Sequence, residues 1–156
     1  MHQLTPRGVP CTTGSGTGAT TTVVPGPRDG WVTLGLAGLP EFTVSLEPRA
    51  VGALIAALRE ADSIGVPCQH PVHPERLLGV NPHRWWEHDC TGRPPMELYL
   101  LLPNDLQVEV VFDSEAVKAL AGTLAWAAAV SGHPGSRACT GPTRGDTVRR
   151  PGSRAP

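Results

Sequence analysis

Cysteine and histidine are the side chains here best suited to chemistry, and six of the ten in the chain lie between positions 68 and 90. They are Cys68, His70, His73, His83, His88 and Cys90, where an even spread would place one or two. The spacing is C-x-H-x2-H, nine residues, then H-x4-H-x-C. Thiolates and neutral imidazoles are the ligands zinc prefers, and two close pairs separated by a loop can close a structural site. Cys68, His73, His88 and Cys90 would form a tetrahedral set, with His70 and His83 as substitutes. The pattern matches no common zinc finger, and Pro67, Pro71, Pro74 and Pro82 restrict how the chain could wrap an ion. Two readings stand: a zinc-binding linker, or a surface loop that holds no cofactor. A catalytic metal with Glu75, Glu87 or Asp89 as base is a weaker variant, because no H-E-x-x-H accompanies it.

Tryptophan marks the second candidate. Trp85 and Trp86 stand together inside the same linker. Adjacent residues in extended chain point to opposite sides, so one indole plugs the fold and the other is free to anchor a partner. Trp126 is the third. With Leu124 at the centre of a buried helical face, Trp126 lies about 160° away. Ala119, Gly122 and Ala129 share that outward face, which a solvated helix would normally fill with charge. Small residues and a Trp there predict a covered surface, beneath a second copy, a protein partner or the chain's own linker.

Other motifs carry less. Gly14-Ser-Gly16-Thr-Gly18 lacks the lysine and the helix of a phosphate loop. There is no G-x-S-x-G elbow, and Ser63 and Ser131 have no placed base. These absences point away from an enzyme. A hydrolase using the linker's acids and histidines, with Tyr99, Leu101, Glu109 and Val111 as a pocket wall, is the most distant reading. The favoured one is a noncatalytic interaction domain that binds itself or a protein partner through the second helix. The alternative is a zinc-binding regulatory module, associated with nucleic acid through a basic tail.

The elements that must hold these residues are read from composition and periodicity. Gly and Pro number 18 + 17 = 35 of 156 residues, about twice the usual share, and only 17% of residues are charged. This excludes a long coiled coil and a Lys/Glu-rich helical bundle. Residues 1–30, rich in Thr, Gly and Pro, and residues 132–156 lack apolar periodicity, and the expectation is that both are disordered. The net charge of −1 divides into −6 for residues 31–131, +1 before them and +4 after them. Five scattered arginines with no aromatic partner make nucleic acid an improbable ligand. Arg outnumbers Lys twelve to one, a bias that resembles chains from very GC-rich bacterial genomes. There is no export signal and no apolar run long enough to span a membrane, so the expectation is a cytoplasmic protein with free thiols.

Within 31–131 two segments superpose at a shift of 66 residues. Leu34–Leu36, Phe42–Leu46 and the stretch from Pro48 to Ala61 match Leu100–Leu102, Val108–Phe112 and Ser114 to Ala127. Alternation at 42, 44 and 46, and again at 106, 108, 110 and 112, predicts strands. Val51, Leu54, Ile55 and Leu58, and then Val117, Leu120, Ala121, Leu124 and Ala128, predict helices. Glu47 and Asp113 fall at the helix starts, with Asp113 the better cap. The expectation is an α+β fold. Two duplicated ββα units form a four-stranded antiparallel sheet with both helices on one face, joined by a linker at 62–95 and flanked by disordered tails.

Overall fold

The computed structural model describes residues 5–37, 39–72, 76–83, 94–101 and 107–132. In chain order the strands are β1 (Arg7–Thr13), β2 (Gly18–Pro25), β3 (Val32–Leu36) and β4 (Leu39–Leu46), followed by helix α1 (Pro48–Glu60). Then come β5 (Ile64–Cys68), β6 (Arg76–Pro82), β7 (Met96–Leu101), β8 (Gln107–Phe112) and helix α2 (Ser114–Val130). The order is thus four strands and a helix, twice. All eight strands join one antiparallel sheet in the order β4-β3-β2-β1-β8-β7-β6-β5. Its two ends meet at one bridge between Ser45 and Gln69, so the sheet is a nearly closed barrel.

This corrects the four-stranded sheet with two helices on one face. Four strands escaped the sequence reading, and each has a physical reason. β1 and β2 lie in the segment expected to be disordered, yet they alternate. Val9, Cys11, Thr21, Val23 and Pro25 turn inward and the residues between them face out. Threonine is β-branched and suits a strand, and Thr21 is fully buried. β5 and β6 lie in the expected linker, where Gly65, Pro67, Gly79 and Pro82 read as punctuation. β5 ends the strand order and β1 pairs with β8 only at Thr12 and Thr13, so Pro67 and Pro10 each lie on a strand with an open side, where a residue without an N–H is tolerated. The C-terminal segment 133–156 lies outside the described residues.

The 66-residue shift sets the end of β4 (Leu46) on the end of β8 (Phe112), and Pro48 of α1 on Ser114 of α2. It fails one strand earlier. β3 pairs Leu34 with Val44, while β7 pairs Leu98 with Val110. The offsets are 110 − 44 = 66 and 98 − 34 = 64, so Leu98 takes the place expected of Leu100. Nine residues lie between the first pair and eleven between the second, and the β3–β4 register also shifts between Leu34 and Leu36.

Both helices contribute to a single core. Val51, Leu54 and Leu58 of α1 and Val117, Leu120 and Leu124 of α2 join Phe42, Phe112 and the inward residues of the strands. The helices pack on each other; α1 also lies against β5 and β6, and α2 against β1 and β2. Each helix therefore covers the opening strands of the other half. Pro48 starts α1, and Glu47 precedes it without a side-chain cap bond, whereas Asp113 Oδ1 accepts the Ala116 N–H at 2.8 Å. α1 ends on Ala61 in the left-handed conformation, with φ of 56°. No helix among the described residues is long and apolar enough to cross a membrane.

Candidate binding clefts at the two sheet seams

The barrel has two weak seams, and each carries a cleft. At the first, Ser45 of β4 and Gln69, just past β5, exchange backbone hydrogen bonds of 2.8 and 2.9 Å. At the second, β1 meets β8 only at Thr12–Val111 and Thr13–Val110. Beside the first seam is a cavity of about 300 Å³ lined by Trp31, Ser45, Glu47, Pro67, Cys68, Gln69 and Arg76. Beside the second is one of about 230 Å³ lined by Pro10, Cys11, Thr12, His83, Pro95, Val111 and Asp113.

The two linings correspond. Gly8-Val9-Pro10-Cys11 and Gly65-Val66-Pro67-Cys68 are the same tetrapeptide on β1 and β5, 57 residues apart. Each Pro-Cys pair faces a strand that ends in an acid, Asp113 after β8 and Glu47 after β4. This spacing differs from the 66-residue shift that relates β4 and α1 to β8 and α2. Identity of four consecutive residues was the available signal.

The charged groups are in different states. Asp113 is already engaged as the α2 cap, while Glu47 is exposed and makes no cap bond. Arg76 Nε is, among the described residues, the buried side-chain polar atom without a hydrogen-bond partner. A desolvated N–H with no acceptor is uncommon in folded proteins and calls for an explanation. Trp31 forms part of the wall, with the Arg28 guanidinium 5.2 Å over its ring.

Both thiols are buried. The Cys68 thiol donates to the Arg76 carbonyl at 3.4 Å, and Cys11 Sγ lies 3.3 Å from Thr21 Oγ1. Loss of solvent pushes Cys68 up to about 11 from its ordinary 9.0, against the opposing pull of the Arg76 charge. Desolvation also raises Cys11, with hydrogen bonding from Thr21 working the other way. Cys68 is therefore a neutral thiol at physiological pH and not a ready nucleophile. A consequence for stability follows. Below about pH 9 the thiol is protonated in both folded and unfolded chains. Between 9 and about 11 the unfolded chain releases its proton first, so the stability due to this group is lost as pH rises through that window. Denaturant titrations should show Cys68→Ala losing less stability across the window than wild type, by on the order of 2 kcal/mol. Parallel losses in the two proteins would exclude this role for Cys68.

The other sequence candidates are spread out. His70 follows β5, is buried, and accepts the Val72 N–H on Nδ1 at 3.1 Å. His83 follows β6, donates its backbone N–H to the Pro95 carbonyl at 2.7 Å, and lines the second cleft rather than the one containing Cys68. His73, His88, Cys90, Trp85 and Trp86 lie outside the described residues, as do Glu75, Glu87 and Asp89. Among the described residues no three His, Cys, Asp or Glu side chains gather as a metal site. On the outer side of the sheet, the Tyr99 ring lies across Gly79 where a side chain would stand.

Trp126 packs partly against the core, and the Arg7 guanidinium stacks 3.6 Å above its ring. The beginning of β1 therefore lies over this indole. Ala119, Gly122 and Ala129 are exposed, as are Gly52 and Ala56 on α1. A Cβ added at Gly52 or Gly122 would meet nothing within 4 Å.

No family model, curated protein or solved structure matches the chain.

Proposed function

We propose that the protein is a noncatalytic interaction domain that self-associates through the outward face of its helix layer. The observation that supports this is the makeup of that face. Gly52, Ala56, Ala119, Gly122 and Ala129 are exposed across two helices that pack side by side. Such positions on a solvated helix normally carry charge. Small residues instead let a facing helix approach closely, and one patch meeting its own copy satisfies the symmetry of a dimer. Arg7 stacked on Trp126 forms one border of the patch. Between the helices lies an apolar groove of about 220 Å³, with Leu58, Val117 and Ala121 in its lining and the side chains of Arg59 and Lys118 beside them.

Molar mass measured by light scattering over a dilution series tests the reading. Wild type should run as a dimer that dissociates on dilution. Gly122→Glu and Ala119→Glu, which place a carboxylate into open space, should run as monomers that still melt cooperatively. A monomeric wild type at every concentration overturns the proposal. The enrichment of Cys and His in 68–90 keeps zinc as the second reading, with Cys68, His73, His88 and Cys90 as its ligands. Elemental analysis of the purified chain separates the two, since the interaction reading requires no metal.

A further inference from the structure

We propose that the cleft at the β4–β5 seam binds a small zwitterion of the α-amino acid class. The site stands apart from the helix face, and its case rests on charge and geometry. Arg76 supplies a guanidinium whose Nε is buried and lacks an acceptor. Guanidinium groups bind carboxylates by paired, directional hydrogen bonds, so Arg76 can hold one where it lines the cleft. Glu47 lines the same cavity and makes no cap bond to its helix. No salt bridge joins Glu47 to Arg76, so one cavity of about 300 Å³ holds two opposite charges that do not neutralise each other directly.

A ligand with one charge would satisfy one of these groups and leave the other against it. A molecule carrying both, separated by one carbon, satisfies both. Its carboxylate would pair with Arg76 and its ammonium with Glu47. Trp31 and Pro67 offer apolar surface for a side chain, and Gln69 adds an amide able to donate or accept. The volume stands at the small end of the range for ligand pockets, which suits a single amino acid rather than a nucleotide. The second cleft lacks this arrangement, because Asp113 is engaged as a helix cap and the residue paired with Cys11 is Ala19, where Arg76 is paired with Cys68.

Calorimetric titration of the full chain with glycine, leucine and phenylalanine is the test, with isocaproate and isoamylamine as leucine analogues that each lack one charge. At least one amino acid should bind. If leucine is a ligand, each analogue should bind roughly tenfold more weakly, as expected for loss of a charge-assisted hydrogen bond. Arg76→Gln should lower leucine affinity to that of isoamylamine. Glu47→Gln, at an exposed residue whose replacement leaves the fold intact, should lower leucine affinity to that of isocaproate and leave isocaproate itself unaffected. The proposal is overturned if none of the three amino acids binds, if leucine and isoamylamine bind equally, or if Glu47→Gln leaves leucine binding unchanged. A monomeric wild type that still binds leucine would remove the self-association reading and leave this one standing.

Discussion

A chain lacking residues 1–30 should fail to fold cooperatively. The truncation removes β1 and β2, and with them the buried side chains of Val9, Cys11, Thr21 and Val23. Burying a residue of valine size contributes roughly 1.5–3 kcal/mol. Losing several such residues at once approaches the 5–15 kcal/mol that stabilises a whole domain. The backbone losses add to this. β3 would lose its partner from Val32 to Leu36, and β8 its partner at Val110 and Val111, leaving two new edges. Trp126 would also lose the Arg7 guanidinium that covers it. The expected result is no sigmoidal melting transition in far-ultraviolet circular dichroism, with aggregation through the exposed edges. A truncated chain that melts cooperatively at the wild-type midpoint would show residues 1–30 to be the dispensable tail their composition suggests.

That contrast explains where the sequence was readable. α1 and α2 were legible because Leu54, Leu58, Leu120 and Leu124 repeat at helical spacing, and Asp113 caps where a cap was expected. β4 and β8 were legible because Phe42, Val44 and Leu46, and Val108, Val110 and Phe112, alternate with large apolar side chains. β1 and β2 were not, since their inward positions hold Thr21, Cys11 and Pro25, residues that also fill loops. Strand identity there depends on neighbouring strands, a tertiary effect that composition does not register. β5 and β6 were hidden in the same way by Pro67, Gly65 and Gly79.

The candidate site was legible only in fragments. Cys68 stood out through its His and Cys neighbours, and metal chemistry was the natural inference. The cleft instead joins Cys68 to Trp31, Glu47 and Arg76, residues up to 45 positions apart in sequence. The β5–β6 ladder sets Arg76 beside Cys68, and closure of the barrel at Ser45–Gln69 brings Trp31 and Glu47 to them. Nothing in the sequence marks Arg76, whose Nε is without an acceptor only in its folded environment. The matching G-V-P-C tetrapeptides were open to inspection, but their meaning depends on β1 and β5 both lying at seams.

Gly132→Val should destabilise the protein by about 3 kcal/mol or more, although the residue lies beyond the last helix and outside both clefts. Gly132 has φ of 69°, a left-handed conformation that a β-branched residue adopts only under strain. An added Cβ would also fall 2.6 Å from the Asp29 backbone nitrogen and 2.9 Å from its Cα, so main chain must move. That main chain belongs to the β2–β3 loop, which is tied to the end of α2. The Gly132 N–H donates to the Gly26 carbonyl at 3.1 Å, and Ser131 Oγ accepts the Gly30 N–H at 2.6 Å while donating to the Ala128 carbonyl at 2.8 Å. Ser131, whose type suggested a nucleophile, is instead a fully buried latch. Ser131→Ala should cost about 2 kcal/mol by orphaning the Gly30 N–H. Gly132→Asn separates the two causes at Gly132. Asparagine tolerates a left-handed backbone, so strain in φ alone would leave it close to wild type, whereas the clash with Asp29 predicts nearly the full loss. Denaturant unfolding of the three variants decides the matter. The same loop ends at Trp31, whose carbonyl accepts the Gly26 N–H at 2.7 Å and whose ring lines the first cleft. Displacing Asp29 should therefore also change Trp31 fluorescence in the folded variant. An unaltered spectrum with full wild-type stability would mean that the α2 terminus does not hold the cleft wall in place.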